Sequence, residues 1–138
     1  MKLFATLALL ACSFFSSAQI QRIALEDAAK HAGSTVNLRG KIIAIQHLKE
    51  VKGTPTNIYL GAAFPNQKLT LVIAGDVRKQ LGFDLSDKKL LGGMAVVTGK
   101  LQVVKGKPQI IITDPAQLVI LIDEEVKSTE LPELDQRR

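Results

Sequence analysis

The sequence predicts an all-β fold, a small barrel of five strands with an N-terminal helix and one short internal helix. Three observations predict it. Short aliphatic and β-branched runs alternate with polar residues between turns rich in Gly, Pro and Asn. The first such run is long and carries Gly40 inside it, which in a strand marks a bulge or a sharp bend. The apolar run at 110–112 would lie along an exposed edge in an open layer, an aggregation hazard that closing the sheet removes. At 138 residues the chain is one domain in size and long enough for a core without staples.

The elements follow in order. Residues 24–31 read as a helix, with Leu25, Ala28 and Ala29 on one face and Glu26 and Asp27 in the first turn, where the helix dipole favours acids. Gly33 stops it. Residues 34–46 form the long first strand, with Val36 and Leu38 alternating with Asn37 and Arg39 before Ile42, Ile43 and Ile45. A polar loop at 49–55 leads to a second strand at 56–60. A loop at 61–68 with Pro65 and Asn66 precedes a third strand at 69–73. Asp76 is placed to cap a short helix at 77–81. Residues 82–93 are irregular, and a fourth strand spans 94–104. Ala95, Val97, Leu101 and Val103 are expected on one face of it, and Thr98, Lys100 and Gln102 on the other. Residues 105–108 make a tight turn into a fifth strand at 109–113. Asp114-Pro115 turns the chain, and residues 118–122 can add a last strand.

A long, bent first strand can pair with two sheets and so close a barrel, with a helix between strands three and four covering one end. That layout is the five-stranded Greek-key barrel known as the OB-fold. A flat meander is the alternative.

The ends of the chain differ from its body. A Lys2 start, an apolar run at 3–15 and Ser16-Ser17-Ala18 describe a secretory signal peptide over residues 1–18, cut after Ala18. The run is too short to cross a bilayer, which needs about 20 residues, so no transmembrane segment is expected in the mature chain. Leu9-Leu10-Ala11-Cys12 also resembles a lipobox, making lipid anchoring through Cys12 the rival reading. The expected location is the periplasm or outside the cell. Residues 19–122 are the barrel domain, with 14 Lys and Arg against 7 Asp and Glu; residues 123–138 are an acidic tail read as flexible. A basic body suits polyanions, although lysines also simply solubilise a surface.

The stretches Leu25-Glu26-Asp27-Ala28-Ala29-Lys30-His31, Arg39-Gly40-Lys41, Pro65-Asn66-Gln67, Val97-Thr98-Gly99-Lys100 and Lys105-Gly106-Lys107-Pro108-Gln109-Ile110 carry a family likeness. In that order, the run from residue 25 to 118 resembles a family of small secreted bacterial OB-fold domains, similar to nucleic-acid-binding OB modules. The resemblance implies the fold and a nucleic-acid ligand, and it supplies no catalytic residue. Asn57, Ala74 and Val104 stand where such domains often carry aromatics.

OB modules bind on the face of strands 2 and 3, between the loops joining strands 1–2 and 4–5. If Ile58, Leu60, Leu69, Leu71 and Ile73 fill the barrel, then Asn57, Tyr59, Thr70 and Val72 point outward. Lys49 and Lys52 flank one side, Lys105 and Lys107 the other, and Lys68 opens strand three. The expected ligand-binding set is therefore Lys49, Lys52, Asn57, Tyr59, Lys68, Thr70, Lys105 and Lys107. Single-strand binders need cations for phosphates and aromatic plates for bases. Tyr59 is the expected plate, with Phe64 and Phe83 assigned to loops. Each feature has a plainer reading: Lys105-Gly106 as a turn, Tyr59 as a cross-strand brace for Thr70, and Lys49 as partly neutralised by Glu50. His47 has no second metal ligand nearby in sequence, and no phosphate loop or catalytic triad is legible. The expected role is non-catalytic, with no cofactor and no metal. The partner is single-stranded nucleic acid or another polyanion, or alternatively a protein of the cell envelope.

Overall fold

In the computed structural model, which describes residues 20–122, seven strands form one sheet that curls onto itself. The strands are β1 (Gln21–Arg22), β2 (Thr35–His47), β3 (Thr56–Leu60), β4 (Leu69–Ile73), β5 (Met94–Val104), β6 (Lys107–Ile112) and β7 (Leu118–Leu121). Their order is β1-β2-β3-β4-β6-β5-β7, with a further β2–β5 pairing that closes the ring. Strands β2, β3, β4, β6 and β5 thus form a five-stranded closed barrel, with β4 and β6 parallel and the other barrel pairs antiparallel. This is the OB-fold. The expected signal peptide with Cys12 and the acidic tail lie outside the described residues. No helix among the described residues is long and apolar enough to cross a membrane.

Closure works as the long strand suggested. Thr35 to Lys41 of β2 pair with β5, and Ile42 to His47 pair with β3. The register shift between Ile42 and Ala44 is where β2 passes from one neighbour to the other. Gly40 is not the bulge. It stands opposite Ala95, and a Cβ there would meet Leu60 Cβ at 3.0 Å and Leu25 Cδ2 at 3.1 Å. Its missing side chain lets β2 lie close over β3 and the N-terminal helix. The bulge instead turns Ile43 out to solvent, where it is 38% exposed.

Ile58, Leu60, Leu69, Leu71 and Ile73 are fully buried, together with Val36, Leu38, Ile42, Val97, Leu101, Ile110 and Ile112. Each such side chain contributes about 1.5–3 kcal/mol over an exposed one. The fully buried side chains alternate along each barrel strand, as a single inward face requires.

Several local expectations are corrected. The N-terminal helix is a 3-10 helix, Leu25–His31. Its three-residue turn stacks Leu25 over Ala28 and swings Ala29 out to solvent. Asp76 is not a cap: helix α1 is Gly75–Arg78, its N-cap is Ala74, and no side chain caps it. The helix starts early because the Gly75 N–H donates to the Gly53 carbonyl at 2.9 Å. The stretch after α1 contains a 3-10 turn, Lys88–Leu90, capped by Asp87. The β5–β6 connection has only two residues, Lys105 and Gly106, with φ of 50° and 77°. Both values are positive, as the tight hairpin turn requires. Lys107 is therefore in β6, and Val103, paired with Pro108, is exposed rather than inward. Strand β1 carried no sequence signal, being two exposed residues beside Val36 and Asn37.

Candidate ligand-binding face

The outer face of the barrel is built from cross-strand rows. Tyr59 pairs with Thr70, Thr70 with Gln109, and Gln109 with Gln102. In the next row Gln46 pairs with Asn57, Asn57 with Val72, and Val72 with Ile111. Period-two alternation sends both rows outward, away from the aliphatic core. These two rows carry amides, hydroxyls and the aliphatic Val72 and Ile111, and no formal charge.

The structure alters the expected set in two places. Tyr59 is only 5% exposed and Thr70 only 7%. They point outward, but the loop at 61–68 folds back over them. The Lys68 N–H donates to the Leu60 carbonyl at 2.9 Å, which tucks the loop against the strands. Buried Gln67 donates from Nε2 to Thr70 Oγ1 at 3.2 Å. The Tyr59 hydroxyl donates to Gln46 Oε1 at 2.7 Å. Tyr59 is therefore a brace, and its ring is not free to take a base.

The free aromatic is Phe64. It is 67% exposed, and its ring lies 5.9 Å from that of Tyr59 at a 44° tilt. Tyr59 supports it from beneath, a tilted ring contact worth about 0.5–1.5 kcal/mol. Sequence reasoning placed Phe64 in a loop but not over the face. The available signal was its position in the connection between the two face strands, next to Pro65.

The five expected lysines are all exposed, and they divide between the two ends of the face. Lys49 and Lys52 lie in the β2–β3 loop, at the end marked by the His47–Thr56 pair. Lys68, Lys105 and Lys107 gather at the other end, where β4 and β6 begin. The strands between are five residues long, so the clusters stand about 17 Å apart at ~3.4 Å per residue. Among the described residues the salt bridge present is Lys30 to Asp27, so these five ammonium groups carry no carboxylate partner there. Asn57 is half-buried between the clusters. No three His, Cys, Asp or Glu side chains come together among the described residues.

No protein-family model matches the chain, and no curated protein matches it. Among solved structures it is similar to one assigned as an aspartyl-tRNA synthetase from Leishmania major Friedlin, with 13% identity and a TM-score of 0.52. The match covers 80% of this chain and 22% of that one, so the chain corresponds to about a fifth of that protein. At this identity the likeness is one of fold.

Proposed function

We propose that the barrel is a non-catalytic binding module for single-stranded nucleic acid, or a polyanion of similar spacing, held weakly on the β3–β4–β6 face. The carrying observation is the division of unpaired lysines between the two ends of a neutral, amide-bearing face with Phe64 exposed over it. Cations at the ends meet phosphates, amides between them meet base edges, and one ring stacks one base. Binding is weak because there is one plate: stacking contributes about 1–3 kcal/mol per base. The fold it shares with part of an aspartyl-tRNA synthetase is compatible with a nucleic-acid ligand. The leader-like residues 1–18 extend the proposal to an exported module.

The test is fluorescence anisotropy with an unphosphorylated deoxythymidine oligomer at low ionic strength. Binding that Lys105→Glu with Lys107→Glu abolishes supports the proposal. An absence of binding by the unaltered protein, or binding that the double variant leaves intact, rejects it.

One observation favours a second reading, a protein or envelope-component interaction module. Met94, Val119, Leu121 and Ile122 are between 38% and 51% exposed at the β5–β7 edge, and β7 has no neighbour on its far side among the described residues. Exposed apolar edges invite another chain. A partner retained from envelope extract at moderate salt, and lost with Val119→Lys, would favour it.

A further inference from the structure

A second basic feature lies at one end of the barrel. There the β2–β3 loop meets the chain after β4, and a cleft of about 600 Å³ opens between them. Three cationic side chains line it, Lys49, Arg78 and Lys79, with His47 and one carboxylate, Asp84. The formal balance is two positive charges. Leu48, Phe83 and Leu85 supply an apolar wall, and Thr54 and Ser86 supply hydroxyls.

The cleft is constructed around one buried hydroxyl. Thr56 is fully buried. Its Oγ1 accepts from Arg78 Nη1 at 2.8 Å and lies 2.8 Å from His47 Nδ1. A guanidinium only donates, and the Thr56 hydroxyl has two acceptor lone pairs and one proton, so it serves Arg78 as acceptor and His47 Nδ1 as either partner. The bond holds the imidazole ring in place with Nε2 on the edge away from Thr56. The Thr54 carbonyl accepts a longer bond from Arg78 at 3.4 Å. Gly75 favours this approach: a Cβ on it would sit 2.5 Å from Thr54 Oγ1 and 3.0 Å from the Gly53 carbonyl, so the loop would have to shift.

Arg78 is half-buried, yet no carboxylate lies within salt-bridge distance of it among the described residues. Partly desolvated charges are normally paired. Asp84 does not serve. It is engaged by its own turn, accepting from the Ser86 N–H at 2.8 Å. That bond, and more weakly the positive field of His47 and Arg78, holds its carboxyl below the usual aspartate range.

We propose that this cleft binds a nucleoside phosphate monoester, its phosphate on Arg78, Lys79, Lys49 and the His47 ring, and its base against Phe83. A phosphate monoester carries about −1.5 to −2 charge at neutral pH, which matches the cleft's balance. Arg offers the fork geometry that suits phosphate. The volume falls in the range of small-ligand pockets, about 300–1,000 Å³, and exceeds what a bare phosphate fills. The same chemistry occurs in a free mononucleotide and at a phosphorylated strand end.

The experiment is a two-dimensional NMR titration of the full chain with adenosine 5′-monophosphate and, separately, with adenosine. The expected result is shifts at residues 47–49, 78–79 and 83–86 with the monophosphate, and at least tenfold weaker binding of adenosine. Lys79→Glu, an exposed position, is expected to weaken the monophosphate at least tenfold, with the rest of the spectrum unchanged. Equal binding of adenosine, shifts confined to residues 105–107, an unaltered affinity in Lys79→Glu, or no shifts at millimolar ligand would each overturn the proposal. A hexanucleotide with and without a 5′-phosphate separates the sources. Tighter binding with the phosphate, through the same residues, supports a strand end; an equal affinity, with the monophosphate bound, supports a free mononucleotide. Lys49 borders both sites, so the sheet face is read by Lys105→Glu with Lys107→Glu and the cleft by Lys79→Glu, and the two readings fail separately.

Discussion

Replacing Gly40 by alanine tests how the barrel closes. The added methyl would stand 3.0 Å from both Cβ and Cδ1 of Leu60 and 3.1 Å from Cδ2 of Leu25. Comfortable carbon contacts are about 3.5–4.0 Å. The Leu25 contact can relax by a rotamer change. The Leu60 Cβ cannot, because Leu60 is held in register with Ile42 and Leu69 on either side. Overpacking of this kind costs about 1–3 kcal/mol. Lower entropy of the unfolded alanine chain returns about 0.4–1 kcal/mol. The net is a loss of about 0.5–2 kcal/mol, or a fall in Tm of roughly 3–12 °C for a domain of this size. Gly82→Ala is the control, since Gly82 has open space around its Cβ position and no positive φ; it should be neutral or slightly stabilising. Thermal unfolding followed by circular dichroism reads both. A Gly40→Ala protein as stable as the unaltered chain would refute the close approach of β2 and β3 at this point.

Other outcomes follow from the same geometry. Phe64→Ala should weaken oligonucleotide binding by about 1–3 kcal/mol, the loss of one stacked base. Tyr59→Phe should leave that affinity unchanged and cost about 0.5–1.5 kcal/mol of stability, because it deletes the bond to Gln46 and the longer one from Asn57; anisotropy and denaturant unfolding separate the two. Thr56→Val keeps the shape but removes the acceptor for Arg78 and the hydrogen-bond partner of His47, and should cost about 1–3 kcal/mol. A Thr56→Val protein of unchanged stability in denaturant would contradict that network. Asp84 should titrate below the ordinary aspartate value in a carboxyl-carbon NMR titration, owing first to the Ser86 N–H. Its folded pKa is depressed, so its stabilisation is present above the unfolded value and disappears as pH falls through the folded one. A midpoint at or above the ordinary value would contradict the bond.

The barrel strands were legible because burial of one face imposes alternation. Ile58 and Leu60, and Leu69, Leu71 and Ile73, carry it, and only closure hides the edge at 110–112. The orientation of Tyr59 and Thr70 was also legible, but their burial was not. Alternation says which way a side chain points and nothing about a loop lying over it. The same limit applied to Phe64, whose exposure depends on how residues 61–68 fold back. Asp76 read as a helix cap because capping is local; the contact of its neighbour Gly75 with Gly53 and Thr54 joins segments some twenty positions apart. The cleft escaped notice for that reason. Arg78 and Lys79 lie on a four-residue helix that shows no pattern of its own, and only the docked loop brings His47 and Lys49 to them.

The affinity of an unphosphorylated oligomer as a function of salt bears most directly on the proposed role. Five exposed lysines on phosphates of a single strand give a slope of log K against log salt near −3.5, at ~0.7 per contact. A slope between about −2 and −4 is the predicted result. Affinity that does not change with salt, or no detectable complex at the lowest salt, would mean that this face does not hold a polyanion.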